Sequence, residues 1–288
     1  MRVRILGTAA GGGLPQWNCA CDVCAASRAT GQGRTQDCLA ISGDATNWYL
    51  VNASPDIRTQ ILATPELTPG PGRRQTPLRG ALLTSAELDH TLGLASLREA
   101  TDFTVYATKP VLEALPTRGV IDPYGGIRWC SLEDGRLTLQ GGLIVESIPL
   151  GHKRPRYAAT APWADDWVVA YRFTDPRSGG VLVYAPCLAV WSPRWEAALD
   201  GADCVLLDGS FFTDDEMVDQ TGAGPTASAM GHLPISETVA YRSAYPAARW
   251  IYTHLNNTNP VLLADSAQRR AVEEAGAEIA ADGMVLDL

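Results

Sequence analysis

The chain has 288 residues, and its 32 acidic and 23 basic side chains give a formal net charge of -9. An acidic surface repels phosphates, so this charge disfavours nucleic acid and anionic membranes as partners and favours a small molecule or a short peptide. The length allows one large α/β domain or two small ones, and we expect a single domain over residues 1–288.

The beginning of the chain, MRVRILGTAAGGG, predicts a short strand over residues 2–6 and then a glycine-rich loop. It has too few apolar residues for a secretory signal, and no later run reaches the ~20 apolar residues of a membrane helix. We therefore expect a cytoplasmic protein. The glycines at 11–13 lack the G-x-G-x-x-G spacing of dinucleotide-binding loops, and we expect them to bring the backbone close to a site.

Three cysteines follow in the polar loop QWNCACDVC, at Cys19, Cys21 and Cys24. The chain has seven cysteines, and this spacing is too tight for a disulfide framework. Three thiolates can hold one Zn²⁺ ion, whose tetrahedral shell needs a fourth ligand from elsewhere. His232 in MGHLPI is the leading candidate, and the alternative is a surface-loop histidine with no role. The remaining cysteines are most simply core residues: Cys38, Cys130, Cys187 and Cys204. Cys187, which follows a predicted strand in YAPCLA, has the alternative of facing an active cleft.

Short runs rich in Val, Ile, Leu and Tyr recur along the chain and predict strands. They cover residues 2–6, 48–52, 80–84, 103–107, 143–150, 167–173, 181–184, 204–207 and 250–253. Helices are predicted over residues 88–99, 109–115 and 265–275, and a further helix is predicted to begin at residue 236. The signals are apolar spacing, a proline in the first turn or a capping residue. The turn TDPRSGG at 174–180 predicts a hairpin, so the α/β fold should have a partly antiparallel sheet.

Four residues of metal-ligand type lie at or just beyond the C-terminal ends of predicted strands: Asp89 and His90 in LTSAELDHTLGL, Asp208 in VLLDGS and His254 in WIYTHLNN. Metals and ligands converge at such strand ends in α/β folds. Taken singly, such an aspartate ordinarily caps a turn, and such a histidine is ordinarily hydrogen-bonded to the backbone. Together they predict a catalytic metal site.

The chain has only four histidines, which limits the kind of metal site it can build. Many binuclear hydrolases carry His-x-His-x-Asp-His in the first motif, and Ser85 and Glu87 stand here at its first two histidine positions. A second catalytic ion therefore lacks ligands. Two histidines and one or two carboxylates with open positions are typical of mononuclear non-haem Fe²⁺ chemistry with O₂. The alternative is a Zn²⁺ ion that activates water for hydrolysis.

The loop IPLGHKRPRY places His152 beside Lys153, Arg154 and Arg156. We expect this basic loop to meet an anionic substrate, and a solvated loop is the alternative. Arg98, near the end of the predicted helix over 88–99, is either a clamp for a substrate carboxylate or a partner in a helix-end ion pair.

Six motifs together resemble, over the whole chain, the pyrroloquinoline quinone (PQQ) biosynthesis protein B family of the metallo-β-lactamase superfamily: GTAAGGGLPQWNCACDVC, NASPDIRTQ, ELDHTLGLASLREA, LLDGSFFTDDEM, MGHLPI and HLNNTNPVL. The resemblance implies a four-layer αβ/βα sandwich with two mixed sheets. It implies a structural Zn²⁺ at Cys19, Cys21, Cys24 and His232, and a catalytic metal at Asp89, His90, Asp208 and His254.

Members of that family are described as carriers that help to export PQQ or as iron-dependent hydroxylases of the tyrosine ring in a glutamate–tyrosine precursor. The ligand set favours the hydroxylase, an enzyme that uses Fe²⁺ and O₂. Its substrate carboxylates would be bound through charge-assisted hydrogen bonds by Arg98, Lys153 and Arg154. A zinc-dependent hydrolase and a non-catalytic PQQ carrier are the alternatives.

Two residues depart from the family pattern, which has an amide at Glu87 and a glycine at Cys187. Glu87 is open to three roles: an additional metal ligand, a proton acceptor for the phenol, or a partner that orients His90. If Glu87 binds the metal, fewer positions remain for O₂. The oligomeric state is also open, with a homodimer among the options.

Overall fold

The computed structural model of the protein describes residues 1–132 and 135–288. Its strands are β1 Arg2–Gly7, β2 Cys38–Ser42, β3 Trp48–Val51, β4 Leu78–Leu82, β5 Phe103–Ala107, β6 Ile127–Ser131, β7 Arg136–Thr138, β8 Ile144–Gly151, β9 Val168–Thr174, β10 Val181–Ala185, β11 Cys204–Asp208, β12 Arg249–Thr253, β13 Glu278–Ile279 and β14 Val285–Asp287. Its α-helices are α1 Asp22–Thr30, α2 Ile57–Leu62, α3 Leu88–Thr91, α4 Lys109–Ala114, α5 Arg118–Ile121, α6 Pro193–Leu199, α7 Glu216–Thr221, α8 Ala227–Met230, α9 Ile235–Thr238 and α10 Ala267–Glu274. Short 3₁₀ helices cover Pro65–Leu67, Leu92–Leu97, Asp122–Tyr124, Arg156–Ala158, Val239–Ala244 and Pro260–Leu262.

The strands form two seven-stranded sheets, in the orders β14-β1-β2-β3-β4-β5-β6 and β13-β12-β11-β10-β9-β8-β7. The first sheet is antiparallel from β14 to β3 and parallel from β3 to β6. The second is antiparallel from β7 to β10 and parallel from β10 to β13. Both sheets are therefore mixed, and the hairpin predicted at residues 174–180 joins β9 to β10.

Three apolar cores separate four layers. The inner core lies between the sheets and includes Val3 of β1 and Leu206 of β11. One outer core packs α2, α4 and α5 on the first sheet, and the other packs α6, α9 and α10 on the second. Because β11 is covered on both faces, all five of its residues are buried, and Val205 faces the outer core while Leu206 faces the inner one. The predicted αβ/βα sandwich is confirmed.

The candidate site residues lie where the two sheets meet at one edge. The carboxyl ends of the parallel strands β11 and β12 deliver Asp208 and His254 from the second sheet. The segment after β4 delivers Asp89 and His90 from the first sheet. A hydrogen bond of 2.8 Å from the Val169 amide to the Thr84 carbonyl joins the sheets beside this edge.

The helix predicted over residues 88–99 is wrong in its form, because only Leu88–Thr91 is α-helical and Leu92–Leu97 continues as a 3₁₀ helix. Tertiary hydrogen bonds compete with the helix here: the Ala53 amide donates to His90 O at 2.7 Å, and the Gly93 amide donates to Ala53 O at 2.9 Å. A Cβ on Gly93 would lie 2.1 Å from the Ser54 carbonyl, so only glycine fits this close approach.

Two further observations concern the rest of the chain. Cys130 lies exposed on the edge strand β6, so its interpretation as a core residue is wrong, whereas Cys38 and Cys204 are buried as predicted. Among the helices of residues 1–132 and 135–288, none has the length and apolar character needed to cross a membrane.

Candidate metal centre

A cavity of about 630 Å³ opens at the edge where the sheets meet. It is lined by ligand-type side chains, by the glycine-rich loop and by the basic loop: Asp89, His90, His232, His254, Glu87, Cys187, Gly11, Gly12, Lys153, Arg154 and Arg156. A Cβ on Gly11 would lie 3.4 Å from Asp89 Oδ2, so the glycine loop closes against this carboxylate.

His90 directs an unpaired nitrogen at the cavity. Its Nδ1 lies 2.8 Å from Ser85 Oγ and 3.2 Å from Thr84 Oγ1. Thr84 Oγ1 donates its own proton to Asn52 Oδ1 at 3.0 Å, so it can only accept from His90. The Thr84 contact favours the tautomer with the proton on Nδ1 and the lone pair on Nε2. This Nε2 is buried without a hydrogen-bond partner among the described residues, and burial lowers the pKa of His90 to about 4.

A buried polar atom without a partner is rare and costs free energy unless an unseen group pairs with it. The neutral imidazole, fixed by hydroxyl groups at Nδ1, has the form in which histidine binds metals. The orphaned Nε2 of His90 therefore fits a metal ion in the cavity.

His254 follows β12 in the left-handed backbone region, with φ of 55°. Such a conformation costs on the order of 1–3 kcal/mol for a non-glycine residue and is found at functional sites. Its Nδ1 lies 2.8 Å from Ser210 Oγ, whose proton goes to Asp208 Oδ1 at 2.7 Å, so His254 Nδ1 donates. Burial opposes a charged imidazole, but the Asp89 carboxylate, 3.3 Å from Nε2, outweighs it and raises the pKa of His254 to about 9.

Asp89 joins these two histidines. Its Oδ2 lies 3.3 Å from His254 Nε2 and 3.9 Å from His90 Nε2. Ligands about 2.0–2.1 Å from one ion lie about 3.0–3.4 Å apart, so small movements would let all three bind the same cation. Burial alone would raise the pKa of Asp89, but the two imidazoles lower it below its ordinary value. A metal ion bound by all three residues would replace the hydrogen bond between Asp89 and His254.

Asp208 was predicted as a ligand of the same ion, and the structure gives its carboxylate other partners. Oδ2 accepts from the Leu188 amide at 2.8 Å and lies 2.7 Å from His232 Nδ1. Oδ1 accepts from the amide and hydroxyl of Ser210 at 3.0 and 2.7 Å. A carboxylate has about four lone-pair sites, and these are taken. Although Asp208, His232 and His254 place ligand atoms within 4.8 Å of one another, the geometry of Asp208 favours orienting the histidines over binding metal.

His232 lies in the cavity and is stacked on His254, with ring centroids 5.6 Å apart. Its Nδ1 points at Asp208, which leaves Nε2 available to the cavity. The prediction that His232 completes the cysteine zinc site is therefore wrong. The segment after β11 instead places His232 beside Asp208, and backbone hydrogen bonds of His232 and of the following residue hold it there.

The three predicted zinc cysteines do converge, with the sulfurs of Cys19, Cys21 and Cys24 within 4.8 Å of one another. Asn257 lies beside these sulfurs and is the candidate for the fourth ligand. Its side-chain amide lies 3.3 Å from Cys24 Sγ, and its backbone carbonyl lies 3.5 Å from Cys21 Sγ. The amide O and N atoms are interchangeable by rotation, so Asn257 can present an oxygen to an ion held by the thiolates. Asn257 is three residues beyond His254, and one short segment therefore connects the two centres.

The basic loop lies at the cavity, but Arg98 does not. Lys153 and Arg154 line the cavity, and their contact with a substrate stays a prediction. The Arg98 guanidinium donates to Ala95 O at 3.0 Å and lies 3.8 Å from Glu99 Oε1. Its position does not fit a substrate clamp and agrees with the alternative of a helix-end ion pair.

Glu87 and Cys187 also line the cavity. Burial raises the pKa of Glu87, Asp89 adds to the rise, and Lys153 opposes it. The Cys187 sulfur, the His90 imidazole and the His254 imidazole place ligand atoms within 4.8 Å of one another. The interpretation of Cys187 as a core residue is therefore wrong, and its alternative, a residue that faces the cleft, is the arrangement observed.

Comparisons with known proteins agree with this fold. Residues 47–255 match the model of the β-lactamase superfamily domain. The coenzyme PQQ synthesis protein B of Azoarcus sp. (strain BH72) is 41% identical over 310 residues, with 100% of both chains covered. The protein of the same name from Methylobacterium nodulans is 40% identical over 300 residues, again with 100% of both covered.

Solved structures are also similar. The crystal structure of Zn²⁺-bound PqqB from Methylobacterium extorquens superposes with a TM-score of 0.92 at 35% identity and covers 100% of both chains. A diphosphatase of the PhnP family superposes with a TM-score of 0.71 at 19% identity, over 100% of this chain and 97% of that one. The second likeness shows the fold alone.

Proposed function

We propose that this chain, which belongs to the coenzyme PQQ synthesis protein B family of the β-lactamase superfamily, acts in PQQ biosynthesis as a mononuclear iron-dependent hydroxylase that uses O₂. Its substrate would be the tyrosine ring of the glutamate–tyrosine precursor. The observation that carries the proposal is the convergence of Asp89, His90 and His254 on one point, where His90 Nε2 has no hydrogen-bond partner within residues 1–132 and 135–288. Two histidines and one carboxylate with open positions are typical of Fe²⁺ enzymes that use O₂.

The metal requirement has two parts. An Fe²⁺ ion held by Asp89, His90 and His254 would supply the redox chemistry with O₂. A Zn²⁺ ion held by Cys19, Cys21 and Cys24 would be structural, and the zinc-bound relative supports zinc in this protein. In the overall reaction one oxygen atom enters a ring C–H bond and the other leaves as water, which consumes two electrons and two protons from an external reductant.

The chain's own residues would bind and position the substrate. Lys153 and Arg154 line the cavity and can donate to the carboxylates of a glutamate-derived substrate. A cavity of about 630 Å³ has the size of ordinary small-molecule sites. Glu87 faces the same cavity with a raised pKa, so its carboxylate suits the role of proton acceptor from the phenol.

A zinc-dependent hydrolase is the second candidate function. The observation in its favour is the third imidazole: His232 leaves Nε2 free toward the cavity, and Asp208 orients it from Nδ1. Three histidines would suit a Zn²⁺ ion that activates water.

The test uses protein reconstituted anaerobically with Fe²⁺, a glutamate–tyrosine precursor peptide, a two-electron reductant and isotopically labelled O₂. We expect O₂ uptake and one labelled oxygen atom in the product, and we expect His254→Ala to abolish both. His152→Ala is the matched control, because His152 lies outside the metal cluster. Equal product formation with Zn²⁺ alone would show that the oxygenase assignment is wrong. Turnover of ester or amide substrates without O₂ would favour the hydrolase.

A further inference from the structure

Cys187 is held at the cavity by the segment that follows β10. The next residue, Leu188, donates its amide to Asp208 Oδ2 at 2.8 Å, and the Leu233 amide donates to Leu188 O at 2.7 Å. These two hydrogen bonds fix the backbone on the C-terminal side of Cys187. The cysteine therefore lines the cavity as part of an anchored segment.

The Cys187 sulfur lies close to the His90 and His254 imidazoles, which are the proposed metal ligands. Cys187, His90 and His254 place one ligand atom each within 4.8 Å of one another. Around a tetrahedral ion with bonds of about 2.3 Å to sulfur and about 2.0–2.1 Å to nitrogen, such atoms lie about 3.5 Å apart. Movements of at most about 1 Å would therefore bring these atoms to the separations that one ion requires. The unpaired, fully buried Nε2 of His90 is an independent sign that a cation belongs at this point.

We propose that the Cys187 thiolate is a ligand of the cavity metal together with His90 and His254. The inference rests on the metal centre of the proposed function, to which it adds a sulfur ligand. On binding, the metal–sulfur bond forms, the S–H bond breaks and the proton leaves to solvent.

Charge balance supports a thiolate at this position. The Asp89 carboxylate and one thiolate together neutralise a divalent ion, so the buried cluster would carry no net charge. Lys153 lies near Glu87, where its positive charge opposes the negative charge of that carboxylate. The third carboxylate of the region, Asp208, is already fully hydrogen-bonded.

A sulfur ligand changes which metals the site prefers. Thiolates select zinc and other softer transition metals over Mn²⁺ and Mg²⁺, which prefer oxygen ligands. Cys187 would also occupy one of the positions around the ion, which leaves fewer positions for substrate or O₂. This chain's centre is therefore expected to bind Co²⁺ or Zn²⁺ far more tightly than Mn²⁺.

The experiment loads the cysteine site with Zn²⁺ first and then adds one equivalent of Co²⁺ to the full-length protein. We expect a thiolate-to-Co²⁺ charge-transfer band in the near ultraviolet that is lost in Cys187→Ala and in Cys187→Gly. Loss of a partner that only orients a ligand weakens metal binding by about 10- to 100-fold, so loss of the sulfur should weaken Co²⁺ binding by about tenfold or more. Circular dichroism of both variants checks that they are folded.

Cys130→Ser is the matched control, because Cys130 is exposed on an edge strand and should leave the band unchanged. His254→Ala should remove the added Co²⁺ altogether. If Cys187→Ala binds Co²⁺ with the wild-type spectrum and affinity, the sulfur ligand is wrong while the metal centre stands. If wild-type protein binds no metal beyond the cysteine site, both the inference and the proposed function fail.

Discussion

Asp89 Oδ2 and His254 Nε2 lie 3.3 Å apart although the two residues follow strands of different sheets. Asp89 follows β4 of the first sheet, and His254 follows β12 of the second. A cation bound between them would tie the halves of the sandwich together. Its removal should therefore affect the stability of the whole fold.

The first prediction concerns removal of that metal. A ligand that binds only the folded state at 100 times its Kd stabilises by about 2.7 kcal/mol. We expect a strong chelator to lower the melting temperature by several degrees and re-addition of Fe²⁺ or Zn²⁺ to restore it. In His254→Ala the cavity metal should contribute nothing, whereas His152→Ala should behave as wild type. Differential scanning calorimetry measures these shifts, and an equal response in both variants would contradict the prediction.

The second prediction concerns Ser210, whose hydroxyl connects Asp208 Oδ1 at 2.7 Å with His254 Nδ1 at 2.8 Å. Ser210→Ala removes the acceptor that fixes the His254 ring, so metal affinity at the cavity should fall by about 10- to 100-fold. Isothermal titration calorimetry with Zn²⁺ checks this. Ser243→Ala is the control, because its hydroxyl bonds only to Ala240 O on the surface. An unchanged metal affinity in Ser210→Ala would show that Ser210 does not orient His254 for metal binding.

The third prediction concerns Asn257 at the cysteine site. An imidazole binds Zn²⁺ in many Cys₃His sites, whereas an amide is a weaker ligand. Asn257→His should therefore increase zinc affinity at the cysteine site, and Asn257→Ala should reduce it by about tenfold or more. Competition with a chromophoric chelator measures both. His232→Ala should leave this affinity at the wild-type value, and a loss there would restore the original pairing of His232 with the cysteines.

The fourth prediction concerns Glu216, a buried carboxyl group that accepts from the Phe212 amide at 2.6 Å and from Thr258 Oγ1 at 2.7 Å. Burial raises the pKa of Glu216 to about 7. The folded state therefore binds this proton more tightly than the unfolded state, whose value is about 4.3. The resulting stability is complete below pH 4 and is lost as the pH rises through 7.

Glu216→Gln mimics the protonated form, so its free energy of unfolding should exceed that of wild type at pH 8 and match it at about pH 3.5, below the unfolded pKa. The expected difference is on the order of 1–3 kcal/mol. Urea denaturation at the two pH values measures it. The difference should vanish at low pH, and a constant offset across the range would show that the carboxyl group does not titrate as described.

The fifth prediction compares two cations that the sequence presents as equal candidates for substrate binding. Lys153 lines the cavity, whereas Arg98 forms a helix-end ion pair with Glu99. Lys153→Ala should raise KM for a carboxylate-bearing substrate by roughly tenfold, the value of one charge-assisted hydrogen bond. Arg98→Ala should leave KM near the wild-type value. Steady-state kinetics of the reconstituted enzyme distinguish the two, and the reverse pattern would place the substrate elsewhere.

Much of the fold follows from local sequence patterns. Strands such as β11 and β12 are continuous apolar runs because helices cover one face and a second sheet covers the other. Asp89, His90 and His254 follow such strands directly, so their convergence could be expected from the strand ends alone. The helix at 88–99 could not be predicted correctly, because the hydrogen bonds that tighten it come from Ala53, far along the chain.

The partners of His232 and Asn257 could not be predicted from the strand ends. Histidine is the usual fourth ligand beside three cysteines, so the sequence favours His232, and an amide in HLNNTNP carries no such signal. The path of the loop that brings His232 to Asp208 depends on contacts with Leu188 and Phe211, not on local spacing. Cys187 was ambiguous because a cysteine is as common in cores as in metal sites.

The segment from His254 to Asn257 has a mechanical consequence. It spans four residues, begins in a strained left-handed conformation and ends against the sulfurs of the cysteine cluster. The contact of Asn257 with the sulfurs holds the C-terminal end of the segment in place and so helps to maintain the strained backbone conformation of His254. Disruption of the cysteine cluster should therefore alter the position of the His254 imidazole in the neighbouring cavity.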